Sequence, residues 1–512
     1  MLGDLLKTKA IRLVALLMAM VFVFAACGDD GAGTRGGTLK VGTTDDSVTL
    51  DPALLTTNPD IWVAKTVANN LVSWTHQLTV QPELATEWEV NDDLTSYTFK
   101  LRKKVKFHSG KEFKAEDVVF TFKRILDEKN ASPARAQLDF IADIVAIDDH
   151  TVRFDLNSPS SFLPEALALY QGKIIPNGTD SKSLTNHLDG TGAYMLTERI
   201  PGERAVLTRN PDYWEDGKPY FDEVIFFFMA DNQARLEALK TGALDVSVPL
   251  GAAEASGLKS GATGIKVESV ASGSYMVVSM ENDVPPFDNL KVRQAIQMAT
   301  DRDSIQKASF FGLGIPGGDH PIPPSDPYYN TDSTVPAYDP AGAKKLLAEA
   351  GYPDGIEVTL NTAPVFGGMV EMAVAFKESV APAGIKVNIK RHPSDGYWSN
   401  VWLKEPMTTV NWFHRNPDGA LSIVMKSDAK WNEAHYKSAE LDSYILAARA
   451  ARTEEEKKEI YGKAQVLLNT EVPRIIVYFM PVLVAMRDNV QDIKAHPSNN
   501  FIVKDGYFGT SN

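Results

Sequence analysis

Glu357-Val358-Thr359-Leu360 and Ile385-Lys386-Val387-Asn388-Ile389 are the two runs whose reading decides the fold class. Both read as strands, the second by its alternation of apolar and polar residues. Between them the spacing predicts a helix from about 369 to 380, ending near Pro382 and Gly384. A strand–helix–strand succession implies a parallel βαβ unit, because parallel strands need a crossover and a helix is the usual one. The chain from about residue 285 onward is therefore expected to be α/β.

The neighbouring segments fit that reading. Asp288 can cap a helix carrying Val292, Ala295, Ile296 and Ala299. Asp339-Pro340 opens another and Gly351 closes it, with an Asp cap, a first-turn proline and a glycine past the end. Thr453-Glu454-Glu455-Glu456 is a capping box that starts a helix to about 468, and 475–479 reads as a short buried strand. Nearer the start, Thr38-Leu39-Lys40-Val41-Gly42-Thr43, Tyr97-Thr98-Phe99-Lys100-Leu101-Arg102 and Thr151-Val152-Arg153-Phe154-Asp155-Leu156 are expected strands. Helical spacing covers 61–71 and 115–127. From Gly190 the texture turns to glycine-rich turns and strands, with Asn210-Pro211-Asp212-Tyr213-Trp214 read as a turn bearing exposed aromatics. A buried strand at 224–229 and a helix at 231–241, closed by Gly242, complete this middle part.

At 512 residues the chain is long enough for about three domains. A formal charge of −14 argues against a nucleic-acid partner, which requires a basic footprint. The single cysteine, Cys27, excludes an intramolecular disulfide and a cysteine-based zinc site. Its position is more informative than its number. Lys7, Lys9 and Arg12 precede an apolar run at 13–26, shorter than the roughly 17–25 residues of a transmembrane helix. Ala25 and Ala26 then supply the small residues of a cleavage site. Residues 28–36 form a polar, glycine-rich tether. This start resembles a bacterial lipoprotein signal, with Phe24 departing from the usual leucine. The resemblance implies cleavage before Cys27, a lipid on its thiol, and anchorage of the mature protein at a membrane surface.

Motifs for catalysis are absent. There is no Gly-x4-Gly-Lys phosphate loop, no His-Glu-x-x-His, and no Gly-x-Ser-x-Gly nucleophile elbow. The nine histidines show no pair at metal-ligand spacing on one predicted helix, and paired acids such as Asp45-Asp46 are ordinary in an acidic chain. No enzyme activity, metal or cofactor is implied.

One stretch concentrates recognition chemistry. Asn411-Trp412-Phe413-His414-Arg415-Asn416-Pro417-Asp418-Gly419 follows a β-like run, Thr408-Thr409-Val410, and ends in a predicted Pro-Asp-Gly turn. Its rings offer contact area and its guanidinium a fork for an anion. The plainer alternative is a surface turn with Trp412 in the core and Arg415 paired to Asp418. Tyr397, Trp398 and Trp402, after the strand at 385–389, and Tyr275 are further candidates for a pocket, with Trp431 and Tyr436 behind them. Trp62, Trp74, Trp88 and Trp214 read as structural.

Several segments, in order, resemble the extracytoplasmic solute-binding proteins of oligopeptide, dipeptide and nickel ABC importers (bacterial solute-binding protein family 5). They include Gly37-Thr38-Leu39-Lys40-Val41-Gly42 with Thr49-Leu50-Asp51-Pro52, then Leu71-Val72-Ser73-Trp74 and Gln81-Pro82-Glu83-Leu84-Ala85. The block from Tyr97 through Val105-Lys106-Phe107-His108 to Ala115-Glu116-Asp117-Val118 is the most specific. Gly190-Thr191-Gly192-Ala193-Tyr194, Arg209-Asn210-Pro211-Asp212-Tyr213-Trp214, Arg293-Gln294-Ala295 and Ala348-Glu349-Ala350-Gly351-Tyr352 continue it. The resemblance implies an α/β, periplasmic-binding-protein-like two-lobed (Venus-flytrap) fold with mixed sheets and an extra domain built from the early segment. The implied division is 1–26 signal peptide, 27–36 tether, 37–54 with 183–272 and 485–512 as lobe I, 55–182 as the extra domain, and 273–484 as lobe II. The chain would cross between lobes near 270–285 and 480–487.

The implied function is capture of a small organic solute between the lobes and its delivery to a membrane permease, with ABC permease and ATPase subunits as partners. A monomer outside the cytoplasm is expected. The 411–419 stretch falls on the family's ligand loop. In peptide-binding members an aspartate there holds the peptide's ammonium. Aligned on Trp412 and Pro417-Asp418, that position is Arg415, which favours an anion and repels an ammonium. A nickel chelate or a peptide held by its carboxylate are alternatives on the same scaffold, and an extracytoplasmic hydrolase is a further one.

Overall fold

The computed structural model describes residues 35–44, 49–259, 264–498 and 500–509. The signal-like leader, Cys27 and most of the tether lie outside them. No helix among the described residues is long and apolar enough to cross a membrane.

Two long antiparallel strands form the spine. Ile265–Met280 pairs with Arg474–Arg487 along most of its length. The expected short strand at 475–479 is thus the first half of a much longer one, and its partner was not anticipated. One sheet spans the molecule through this pair. Its order runs 385–391, 356–362, 407–412, 265–280, 474–487, 246–247, 38–43, 223–228, 204–209, 194–200. The expected βαβ unit is present: Ile356–Thr362 and Ile385–Arg391 pair in parallel, in register from Ile356↔Ile385, around the helix Met369–Val380.

The spine's register shifts twice, with a smaller shift between Met276 and Val277 and a larger one nearer its middle. The larger lies between Val270 and Ser274, opposite Met480 to Val482, and Pro481 there has no N–H for a ladder bond. On one side of this bulge, Met276, Val278 and Met280 face a core closed by the helices Leu290–Met298, Pro340–Glu349 and Met369–Val380. Tyr275 and Val277 face the opposite core, closed by Pro417–Val424, Ala439–Ala450 and Glu454–Glu471. With both faces covered, the 272–280 half is buried without alternation, as strands covered on both faces are. On the other side, Val484 and Met486 join Leu39, Val41, Val224 and Phe226 in a separate core. The molecule therefore has two lobes linked by the spine.

A third core belongs to an early-sequence domain. Its four-stranded sheet, ordered 85–90, 96–101, 151–156, 141–148, carries Tyr97, Phe99 and Phe154 against Val118, Phe122 and Ile125 of the helix Ala115–Leu126. The helix Asn58–Val67 departs from the expected division. Trp62, buried and 6.0 Å from Phe501, packs with Ile61, Val63 and Val67 in the lobe I core, not in that of the extra domain.

Local signals account for most element ends. Asp339, Asp231 and Thr453 cap their helices by accepting from the backbone N–H of Gly342, Ala234 and Glu456, and Gly242 closes its helix in the left-handed conformation. Three readings need correction. Asn289, rather than Asp288, caps the helix Leu290–Met298. Pro417-Asp418-Gly419 is not a turn: Asn416 is an N-cap and Pro417 the first helical residue of Pro417–Val424. Tyr213 is buried rather than exposed, its hydroxyl 3.0 Å from Glu215.

Candidate functional site

The strand Met407–Trp412 delivers the recognition stretch to the end of the lobe II sheet, and the helix Pro417–Val424 leads it away. Between them, Phe413, His414, Arg415 and Asn416 project into a cleft of about 350 Å³. The opposite wall is the extra domain, including Phe162, Glu165, Tyr170 and Gln171, and the rim includes Ser498 and Asn500 from the C-terminal part. A larger groove, about 810 Å³, runs over the outer face of the helices Ala439–Ala450 and Glu454–Glu471. It is lined by lobe II alone, and a cleft of about 450 Å³ between the extra domain and lobe I includes none of the 411–419 stretch, so of these three only the smallest joins that stretch to another domain.

The position of Arg415 is built from behind. Its guanidinium carbon lies 5.2 Å from the Trp412 ring centroid, and Nη1 donates to the Phe413 carbonyl at 3.3 Å. Trp412 is in turn held by Glu433, which accepts its indole N–H at 3.2 Å and that of Trp402 at 2.7 Å. Arg474 donates to the same carboxylate at 3.0 Å and to the Tyr275 hydroxyl at 3.0 Å. Glu433 and Arg474 are both buried, so the Trp412 ring rests on a fixed ionic pair.

Asp418 is not the partner of Arg415. Both of its oxygens accept from Arg449, at 2.7 and 3.0 Å, in a bidentate pair. Ser422 accepts a further bond from the same guanidinium at 2.9 Å. Helix formation at Pro417 explains this. It points Asp418 from the first turn of one helix at Arg449 in the last turn of Ala439–Ala450. Arg415 is left with no carboxylate partner among the described residues, facing the cleft.

His414 touches the spine. Its backbone N–H donates to Ser274 Oγ at 3.2 Å, and its buried Nδ1 has no hydrogen-bond partner. Burial, with Arg415 adding to it, lowers its pKa to about 4, so the imidazole is neutral at physiological pH. A Cβ on Gly273, in the spine's bulge, would come within 2.2 Å of that Nδ1. Gly273→Ala is therefore expected to push the ring, the more mobile partner, out of its pocket. Histidine NMR titration should then show the His414 pKa rising from about 4 toward the ordinary value of about 6.5. The sign for stability follows. A histidine held neutral by the fold contributes fully above its unfolded pKa and loses that contribution as pH falls toward the folded one. The variant should lose less stability than the parent over that acid range. An unchanged titration would mean that the ring does not depend on the glycine.

The remaining candidates separate. Tyr397 is core: its hydroxyl is 3.1 and 2.9 Å from the carbonyls of Asn361 and Thr409. Tyr275 is also buried, edge-on to Phe479. Asn411 lies within its strand opposite Met276. Trp398 is 42% exposed and packs on Trp402, away from the cleft lining. Trp431 is exposed against Trp402 and Trp412, and the Tyr436 hydroxyl bonds Glu471. Trp74, read as structural, does line the cleft. The extra-domain wall was not anticipated, because its residues sit in a segment with no motif beyond Ser-Pro loop signals. Elsewhere, Glu281, Asp283 and His435 bring one ligand atom each within 4.8 Å of one another. His435 Nδ1 lies within hydrogen-bond distance of Asp283, at 2.9 Å.

The family described as bacterial extracellular solute-binding proteins, family 5, matches residues 79–432, more than half of the chain. The chain belongs to that family. It is a substrate-binding component of an ABC importer, holding solute between two lobes for a membrane permease. The di/tripeptide-binding protein 1 of Pseudomonas aeruginosa (strain UCBPP-PA14) is 30% identical to this solute-binding protein over 490 residues, covering 88% of this chain and 90% of its own. The heme-binding protein A of Haemophilus influenzae is 29% identical over 80% of this chain and 81% of its own. Among solved structures, the periplasmic binding protein AgaA of A. tumefaciens R10 in complex with agropinic acid superposes with a TM-score of 0.77 at 25% identity. That match covers 93% of this solute-binding protein and 99% of AgaA.

Proposed function

We propose that this solute-binding protein takes a small organic solute bearing an anionic group, and that Arg415 is the group's anchor. The observation that carries the reading is the pairing of Asp418 with Arg449, which leaves the Arg415 guanidinium facing the cleft without a carboxylate. A half-buried cation of this kind favours an anion and opposes a free ammonium. The carboxylate end of a short peptide meets the requirement as well as an organic acid does. The AgaA complex with agropinic acid and the di/tripeptide-binding relative each agree with one of these forms.

In this reading Phe413, His414 and Asp418 shape the loop around the ligand, while Trp412 and Tyr275 support it from behind. The lobes are 37–54 with 183–272 and 485–512, and 273–484, with 55–182 as the extra domain except for the helix that packs on lobe I. The protein works as a monomer, tethered outside the cytoplasm through a lipid on Cys27, and has no catalytic role. Closure buries the ligand, so binding energy goes into the closed state that the permease engages.

Thermal shift and calorimetry with organic acids, opines, dipeptides and their amidated forms test the anchor. Acids should raise the melting temperature and amides should not. Arg415→Ala should weaken acid binding about ten- to a hundredfold, the range expected for losing a charge-assisted contact. Equal binding of acids by Arg415→Ala and the parent protein would reject the anchor.

A further inference from the structure

The two walls of the cleft differ in hydrogen-bonding character. The lobe II wall offers donors from Arg415. The extra-domain wall offers two acceptor oxygens with no hydrogen-bond partner among the described residues. Glu165 Oε2 is buried without a hydrogen-bond partner, and no cation pairs with that carboxyl among the described residues. Gln171 donates its amide to the Leu55 carbonyl at 2.9 Å, which turns its Oε1 free; that oxygen is also buried without a partner. Leaving a buried acceptor unsatisfied is costly, and two on one wall of a ligand cleft point to a donor arriving with the ligand.

The cation whose charge acts on Glu165 is already engaged. Lys457 donates to Glu454 at 3.0 Å and lies 4.7 Å over the Phe162 ring. Arg449 is held by Asp418. Among the described residues, the Arg415 guanidinium and the Glu165 carboxyl thus face the cleft from opposite walls, neither in an ion pair.

We infer that the ligand is a zwitterion: besides the anion at Arg415, it carries an ammonium or guanidinium that donates to Glu165 and Gln171. This rests on the Arg415 reading and adds the second charge to it. It also sets the ligand's orientation, with its acidic end toward lobe II and its basic end toward the extra domain. Burial pushes the Glu165 pKa up to about 7, with Lys457 opposing that rise, so the site readily becomes anionic when a cation arrives. The geometry also gives closure a reason. Neither wall alone recognises the ligand, and a bipolar solute joins them, which stabilises the closed form over the open one.

The test uses dipeptides, glutathione and opines, each as the zwitterion, its N-acetyl form and its carboxamide, measured by calorimetry on the full chain. Zwitterions should bind at least about tenfold tighter than their N-acetyl forms. Glu165→Gln keeps the shape of the side chain and should abolish that preference while N-acetyl acids bind as before. The inference is overturned if N-acetyl acids bind the parent protein as well as zwitterions do, or if no zwitterion binds. It is equally overturned if a folded Glu165→Gln protein keeps the preference. N-acetyl acids whose binding depends on Arg415 would then leave the anchor standing while Glu165 falls. Amides that bind independently of Arg415 would remove the anchor itself. The comparison on the parent protein alone decides the matter should the variant misfold.

Discussion

Glu433→Ala is expected to lower the stability of lobe II by about 3–5 kcal/mol, the usual cost of removing one partner from a buried ion pair. The site is unusually exposed to that loss. Arg474 has no solvent-exposed side chain, and its Nε already lacks a hydrogen-bond partner. Without Glu433, Nη1 loses its acceptor as well and only the bond from Nη2 to Tyr275 remains. The indoles of Trp402 and Trp412 are stranded in the same step. Urea unfolding followed by tryptophan fluorescence should show the effect, because both indoles report on it. Glu433→Gln should cost less, since it keeps acceptor capacity. Replacing the pair together, as Glu433→Leu with Arg474→Met, should recover much of the loss, because no uncompensated charge stays buried. A cost below about 1 kcal/mol for Glu433→Ala would mean that Arg474 finds another partner or water. The functional consequence should exceed the structural one, because Arg415 rests on the Trp412 ring that Glu433 holds.

Phe162→Ala is expected to act on closure. Phe162 belongs to the extra domain by position, but its ring packs in the lobe II core, 6.0 Å from Tyr461 and under Lys457. The neighbouring Ser161 N–H donates to the Arg449 carbonyl at 2.8 Å, which joins the two domains at the same point. Truncating a buried phenylalanine costs about 3–5 kcal/mol. Because the contacts lie between domains, that cost falls on their docking rather than on the folding of either. The closed-to-open ratio should therefore fall roughly a hundredfold or more. Small-angle scattering should report a more extended molecule, and ligand affinity should fall with little change in the unfolding transition of lobe II. Unchanged scattering and affinity would show that Phe162 contributes packing only, with no part in closure.

Much of the fold was legible from local chemistry. The caps at Asp231, Asp339 and Thr453, the glycine at 242, and the alternation in 38–43 and 151–156 each depend on a few adjacent residues. The spine was less legible. Its halves 272–280 and 474–480 are buried on both faces, so they carry no clear period, and their pairing joins Tyr275 to Phe479 across some two hundred residues. Pro417 misled in another way. Asn-Pro-Asp-Gly is a strong turn signal, and the same residues also make an N-cap with a first-turn proline. The apolar stripe Ala420, Leu421 and Val424, buried against lobe II, decided for the helix.

What the sequence by itself determined is the class of protein, its principal elements, and the presence of an arginine where a ligand loop was expected. Those depend on composition, short-range spacing and ordered resemblance. What only the tertiary structure decided is whose charge is whose. Asp418 stands three residues from Arg415 and thirty-one from Arg449, yet it pairs with the distant one. Charge pairing is a competition among all groups that packing brings within reach, and helix geometry put Arg449 there first.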